Sequence, residues 1–318
     1  MKKRIGVIGI GNMGSHHLRV YSEISDIDLV AVSDINKDLF ENTEKTYDIN
    51  FYESYLDMIE SEKLDIVSIC VPTVYHYQVA KDCIERGINV LLEKPITDSI
   101  NTAEELLELA DGKNLKLLVG HIERFNPAVK KLKEIIDNGK IGNIISVIAR
   151  RVGIFPPQIK DANVAVDLAI HDIDIINYLL DSLPTEVNIN SQKSLIKERA
   201  DSVEFFLKYK NVSAYIQANW ITPVKIRKLS ITGDKGYVEM DYVNQKIELY
   251  ESNYEKIETK SFKDYVLKFS QPDKTVISVA KKEPLKEEIL YFIDCVEENI
   301  KIDSNFALDS LKIILNNL

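Results

Sequence analysis

Three groups of residues in this 318-residue sequence have the types and spacing to do chemistry. The first is Gly9-Ile10-Gly11-Asn12-Met13-Gly14, a G-x-G-x-x-G series directly after the apolar run RIGVIG and at the start of a helical pattern. Gly9 permits the tight turn, Gly11 lets the backbone approach a pyrophosphate, and Gly14 lets the helix pack closely on the strand. The loop, Asn12 and Met13 included, then holds the pyrophosphate at a positive helix end. The apolar run DLVAVSD ends in Asp34, about twenty residues past Gly14, where a carboxylate accepts hydrogen bonds from adenosine ribose hydroxyls. It would repel a 2′-phosphate by about 4 kcal/mol at 4 Å and an effective dielectric of about 20. Lys37 is close but no arginine follows, so NAD is expected over NADP.

The second group is Glu93-Lys94-Pro95, after the apolar run NVLL. Ligands of open parallel sheets bind beyond the carboxyl ends of the strands. Lys94 is therefore expected at the nicotinamide end of a cleft, where it can hydrogen-bond a substrate oxygen and stabilise developing negative charge. Taken alone, it reads equally well as a solvated lysine at a strand end. The third group lies in NVAVDLAIHDIDIINYLL, residues 163–180. At about 100° per residue, Asp167, His171, Asp174 and Tyr178 fall within about 60° of one another on an otherwise apolar helix. Polar groups on a buried helix are paired or functional. His171 is either a core histidine satisfied by Asp167 or Asp174, or a proton-transfer group.

The elements that must position these residues change character along the chain. Up to residue 121, apolar runs alternate with helical patterns: helices at 12–24, near 36–48, at 53–60, 75–86 and 101–111, and strands at 4–9, 64–71, 89–94 and 115–121 besides DLVAVSD. That rhythm predicts a parallel sheet covered on both faces. A helix at 126–138, a strand at 143–152 and the helix at 163–180 follow. Strand patterns with short turns run from 185 to about 260, and two helices close the chain at 284–299 and 305–317. The fold class read from this is α/β: an N-terminal Rossmann parallel sheet plus a C-terminal α+β domain with a large open, mostly antiparallel sheet. The domains are expected at 1–121 for NAD binding and 122–318 for substrate binding and oligomerisation.

Composition narrows the function. The chain is 45% hydrophobic and 28% charged with a net charge of −10, which argues against a general nucleic-acid binder. No stretch approaches the roughly 18 apolar residues of a membrane span, and the amino-terminal MKKRIGVIGIG is too short and glycine-rich for a signal peptide, so a cytoplasmic soluble protein is expected. Cys70, Cys83 and Cys295 are odd in number and form no CxxC, which reads as buried thiols rather than disulfides or a metal site.

The series G-x-G-x-x-G, then Pro72-xxx-His76-xxx-Ala80, then Gly87-xx-Val90-xx-Glu93-Lys94-Pro95 resembles the glucose–fructose oxidoreductase/inositol dehydrogenase (Gfo/Idh/MocA) family over the whole chain. The resemblance implies that Thr73 and His76 lie along the cofactor with Glu93 and Lys94, and that Lys94 is catalytic. The family's D-xxx-H-xx-D series is matched by Asp167, His171 and Asp174. It implies His171 as general acid/base, with Asp167 orienting it or holding a hydroxyl, a task suited to an imidazole titrating near neutrality. Many relatives carry a glycine pair just before this helix, where this sequence has Asp161-Ala162-Asn163.

Residues 120–136 (GHIERFNPAVKKLKEII) and 150–157 (RRVGIFPP) resemble the branch of the family acting on nucleotide sugars, the UDP-N-acetylglucosamine 3-dehydrogenases and related uronic acid 3-dehydrogenases. A UDP-sugar needs cations for its diphosphate. Arg124, Arg150 and Arg151 are candidates, with Asn126 beside the first; Arg150 and Arg151 should face opposite sides of a sheet, and Arg151 is taken as the ligand. The expected reaction is NAD-dependent oxidation of the C3 hydroxyl of UDP-N-acetylglucosamine to a 3-keto sugar nucleotide, which an aminotransferase would consume. The uronic acid substrate, a free polyol such as myo-inositol, and a non-catalytic NAD-sensing role are the alternatives. A homo-oligomer, dimer or tetramer, is expected through the exposed sheet face.

Overall fold

The computed structural model describes residues 2–40, 43, 46–154, 163–252, 254–258 and 265–318. The described residues form two compact units: one of residues 2–122 and 283–316, the other mainly of residues 123–154 and 163–282. The two closing helices, expected within 122–318, therefore belong to the first unit.

The first unit is built on six parallel strands: β1 (Lys3–Ile8), β2 (Ile27–Ser33), β3 (Asn50–Tyr52), β4 (Ile66–Ile69), β5 (Asn89–Glu93) and β6 (Leu117–Gly120), in the order β3-β2-β1-β4-β5-β6. Strand order reverses between β1 and β4, which opens a crevice at the carboxyl ends of those strands. The strands are apolar on both faces because helices cover both: α1 (Asn12–Ser22), α2 (Tyr55–Ser61), α3 (His76–Glu85) and α4 (Ile100–Gly112). Ser54 and Ser99 cap α2 and α4 by accepting from Asp57 and Thr102 backbone N–H groups. The helix expected near 36–48 opens with a 3-10 turn at Lys37–Leu39, and Phe40, Thr43 and Thr46 are helical; residues 41, 42, 44 and 45 lie outside the described residues. The short strand β3 was hidden by its length.

The closing helices α7 (Pro284–Glu297) and α8 (Asn305–Leu315) return to this unit by their apolar faces, with Ala307, Leu308 and Leu311 joining the core around Val90, Leu106 and Leu117. Ser304 Oγ donates to the Leu117 carbonyl at 2.7 Å and Phe306 meets the His121 ring edge-on.

The second unit carries an eight-stranded sheet, β16-β13-β12-β11-β7-β10-β9-β8. Its strands are β7 (Ile144–Ile154), β8 (Glu186–Gln192), β9 (Ser202–Lys208), β10 (Ser213–Asn219), β11 (Ile221–Gly233), β12 (Gly236–Asp241), β13 (Lys246–Glu251) and β16 (Asp273–Ile277). Strands β14 (Tyr254–Glu258) and β15 (Tyr265–Phe269) form a separate antiparallel pair. The large sheet is antiparallel except for the β7–β10 pair. Alternate residues such as Ala149, Ile216, Leu229 and Val238 are buried beneath α5 (Pro127–Asp137) and α6 (Ile170–Leu180), while Ile145, Ile148, Phe206 and Val276 are exposed. Among the described residues no helix is long and apolar enough to cross a membrane.

Candidate functional site

The glycine loop is shaped by backbone contacts. Gly9 has φ +81°, and a Cβ on Gly14 would stand 1.8 Å from the Gly9 carbonyl oxygen, so no side chain fits there. A Cβ on Gly11 would meet nothing within 4 Å. Gly11 is also the N-cap of α1, and neither a side-chain cap nor an acidic residue occupies the first turn. The first N–H groups of α1 therefore face a roomy, electropositive position, a fit for a pyrophosphate. Asp34, half-buried just past β2, accepts from the Ile10 and Asn36 backbone N–H groups, one on each carboxylate oxygen, both at 2.8 Å. Each oxygen keeps acceptor capacity for a ribose hydroxyl. The residues present fit a dinucleotide.

Beyond β5, a cis peptide joins Lys94 to Pro95, and Lys94 is half-buried. The carboxylate before it is held by a buried hydrogen-bond chain. His17 Nε2 lies 3.0 Å from Glu93 Oε1, His17 Nδ1 lies 3.1 Å from Ser68 Oγ, and Tyr21 Oη lies 2.8 Å from the same hydroxyl. Burial pushes Glu93 upward, but the hydrogen bond and charge of His17 outweigh it and hold the carboxyl below its ordinary range. His17, Cys70 and Glu93 present ligand atoms within 4.8 Å of one another, the one such group among the described residues. Burial, reinforced by the charge of Glu93, keeps the Cys70 thiol well above its ordinary value, and the imidazole is already engaged on both sides. Glu288 of α7 is fully buried in the same neighbourhood, with neither carboxyl oxygen hydrogen-bonded; burial first, then the charge of Glu93, pushes its pKa well up.

His76, expected along the cofactor, is buried behind the turn that carries Lys94. Its ring is 1% exposed and lies between two backbone carbonyls, Nδ1 at 2.8 Å from Pro95 and Nε2 at 2.9 Å from Val71. It braces the Lys94-Pro95 turn against the end of β4. Thr73 sits half-buried on the 3-10 turn Thr73–Tyr75.

In the second unit, the helix expected at 163–180 begins as a π-helical turn, Ala165–Ala169, and continues as α6. Such turns widen the helix locally and recur at functional sites. Asp167 lies in the π turn, where Oδ2 accepts from Trp220 Nε1 at 3.2 Å. His171 is half-buried one turn on. Asp174 is almost fully buried and takes a two-pronged bond from Arg124, Nε and Nη2 each at 2.8 Å, while the Arg124 guanidinium lies 5.1 Å from the Tyr178 ring centre.

The arginines expected to bind substrate have carboxylate partners within the second unit. Arg150 and Arg151 do face opposite sides of β7, the first exposed and the second buried. The Arg151 guanidinium is bonded to both oxygens of Asp172, at 2.7 and 3.1 Å, and to Glu123 at 2.9 Å, with Tyr242's ring centre 4.7 Å away. Burial alone would lower its pKa, but the charges of Asp172 and Glu123 drive it well up. Each of its three nitrogens donates to a carboxylate inside the unit, from which we infer a structural cation. Arg124 is likewise forked onto Asp174. Asn126 caps α5, accepting from Ala128 N–H and donating to Glu123 and the Tyr242 carbonyl, and is 2% exposed. The other residues of the RRVGIFPP segment, 155–157, and Asp161-Ala162 lie outside the described residues.

Asp172, Glu123 and Trp220 were not singled out in the sequence. Asp172 did carry a signal: it falls on the apolar side of its helix, and a carboxylate there demands a buried cation.

Two family models match the chain: an oxidoreductase-family, NAD-binding Rossmann fold of the Gfo/Idh/MocA type over residues 3–121, and a GFO/IDH/MocA C-terminal domain over residues 129–239. The UDP-N-acetylglucosamine 3-dehydrogenase of Acidithiobacillus ferrooxidans is 29% identical over 248 residues, covering 78% of this chain and 76% of that one. Its solved structure superposes with a TM-score of 0.85 at 25% identity, over 99% of this chain and 96% of the other. The myo-inositol 2-dehydrogenase of Thermotoga maritima is 27% identical over 256 residues, 76% of each chain. A scyllo-inositol dehydrogenase from Lactobacillus casei, solved with NAD(H) and scyllo-inositol, shares the fold at a TM-score of 0.81 and 19% identity, over 100% and 96% of the two chains.

Proposed function

The chain belongs to the Gfo/Idh/MocA oxidoreductase family and is an NAD-dependent dehydrogenase, and from that premise we propose that it oxidises the C3 hydroxyl of a UDP-sugar, UDP-N-acetylglucosamine first, to the 3-keto sugar nucleotide. NAD, when bound, supplies the nicotinamide ring that accepts hydride. The α1 N-terminus with Gly9 to Gly14 holds the pyrophosphate and Asp34 the adenosine ribose. Lys94 donates a hydrogen bond to the reacting oxygen and steadies the charge that develops on it. His171 takes the hydroxyl proton, and Asp167 steadies the sugar or the imidazole. These roles follow the family resemblance. The observation that supports them is that Lys94 and His171 are each half-buried, Lys94 just past the carboxyl end of β5 and His171 one turn beyond the π-helical turn.

The similarity to inositol dehydrogenases supports a second reading, a free polyol as substrate. NADH formation with UDP-N-acetylglucosamine, its uronic acid and myo-inositol separates the two. The UDP-sugars are expected to turn over. Lys94→Met and His171→Ala should each lose about 10²–10⁴ in rate while NAD affinity stays within a few-fold. Oxidation of myo-inositol alone would select the polyol reading, and a variant with near-normal turnover would remove that residue from the mechanism.

A further inference from the structure

With Arg124 and Arg151 spent on carboxylates, the cation that could receive an acidic substrate must come from elsewhere in the second unit. Arg227 on β11 is such a group. It pairs in register with Arg151 across β7, beside a bulge between Ile221 and Ile226 that interrupts the pairing. Its side chain is half-buried, and its guanidinium bonds only to backbone carbonyls, Val152 at 2.5 Å and Ile226 at 3.0 Å, through Nη1 alone. No carboxylate is paired with it among the described residues. A Cβ on Gly153 would come no nearer than 3.7 Å to the guanidinium, so the glycine adds no cover there.

The electrostatics around it are unbalanced. Burial first, then the like charge of Arg151, lowers the Arg227 pKa to about 10, against the opposing pull of Asp172, Asp167 and Glu123. Each of those acids has its own donor: Arg151 for Asp172 and Glu123, Trp220 for Asp167. Arg227 stays protonated at neutral pH, partly desolvated, with Nε and Nη2 bonded to nothing among the described residues. A half-buried guanidinium in that state gains more from an arriving oxyanion than a solvated one does.

We propose that Arg227 is the anion-recognition residue of the second unit, taking a phosphate or carboxylate oxygen of the acidic substrate; this rests on the UDP-sugar reading above. Losing one charge-assisted contact of this kind corresponds to roughly a 10- to 100-fold loss of affinity. The loss falls mainly on KM, because Arg227 binds a part of the substrate that does not react.

The test compares wild type with Arg227→Gln and Arg227→Lys, using UDP-N-acetylglucosamine and UDP-N-acetylglucosaminuronic acid in turnover. Inorganic pyrophosphate and glucuronate serve as calorimetric probes, with saturating NAD filling the dinucleotide loop. Arg227→Gln should raise KM by roughly 10- to 100-fold and Arg227→Lys by less, since it keeps the charge and loses the fork. A loss shared by both UDP-sugars assigns the contact to the diphosphate; a loss confined to the uronic acid assigns it to the carboxylate. KM values within about twofold of wild type for all substrates overturn the proposal, as does a fall in melting temperature without a KM effect, which marks a brace for Val152. If neither UDP-sugar is oxidised, the substrate reading fails separately. Arg227 then stands if wild type binds either probe and Arg227→Gln does not, and falls otherwise.

Discussion

Replacing Arg151 with methionine separates a structural cation from a ligand residue. Arg151 has 5% of its side chain exposed and Asp172 none, and their two hydrogen bonds are joined by a third to Glu123. Methionine fills much of the volume but leaves the Asp172 carboxyl enclosed without its partner. Breaking one partner of such a pair costs about 3–5 kcal/mol, because the remaining charge has lost its compensation. At about 2–4 °C per kcal/mol for a unit of this size, the second unit should melt roughly 6–20 °C lower. The double variant Arg151→Met/Asp172→Leu removes both charges, and Glu123 retains the amide of Asn126 at 3.1 Å. It should recover most of the loss, giving a coupling energy well above the 0.3–0.5 kcal/mol scatter of about-additive pairs. Calorimetry gives the melting temperatures, and KM for the UDP-sugar is measured on the fraction that folds. If Arg151→Met melted within about 2 °C of wild type while KM rose tenfold, the guanidinium would be serving the ligand and the structural assignment would be wrong.

Two further outcomes follow from the first unit. NAD should bind at least tenfold tighter than NADP, since the Asp34 carboxylate opposes a 2′-phosphate by an amount on the order of 4 kcal/mol at 4 Å; comparing the two dissociation constants checks it, and equal or tighter NADP binding would mean that Asp34 does not face the ribose. Glu288 binds its proton more tightly folded than unfolded, because burial and then the charge of Glu93 raise its pKa. Its contribution is therefore complete below the unfolded carboxyl range and drains away as pH rises towards the folded value, by up to about 1.4 kcal/mol per pH unit. Glu288→Gln, neutral at every pH, should match wild type near pH 4 and melt progressively higher than it towards pH 8. A melting-temperature difference that stays constant or reverses across that range would mean the carboxyl is ionised in the fold.

What could be read in advance divides along a physical line. The glycine loop was legible because its constraint is local: the clash at Gly14 involves an oxygen five residues away, and no other side chain avoids it. The parallel sheet was legible because strands covered on both faces need apolar residues throughout. The arginines were not legible, because an arginine's task is set by which carboxylates reach it. The partners of Arg151 lie 21 and 28 residues off in sequence and that of Arg124 lies 50 off. The closing helices misled for the same reason, since an apolar face records that it is buried and not against what. In a chain with 50 acidic residues against 40 lysines and arginines, a half-buried cation will ordinarily find a carboxylate. Proximity to a sequence motif is then weak grounds for assigning a cation to a ligand. The stronger ground is a guanidinium taken out of water and left with carbonyls alone, and Arg227 meets it on a strand whose pattern had shown only alternation.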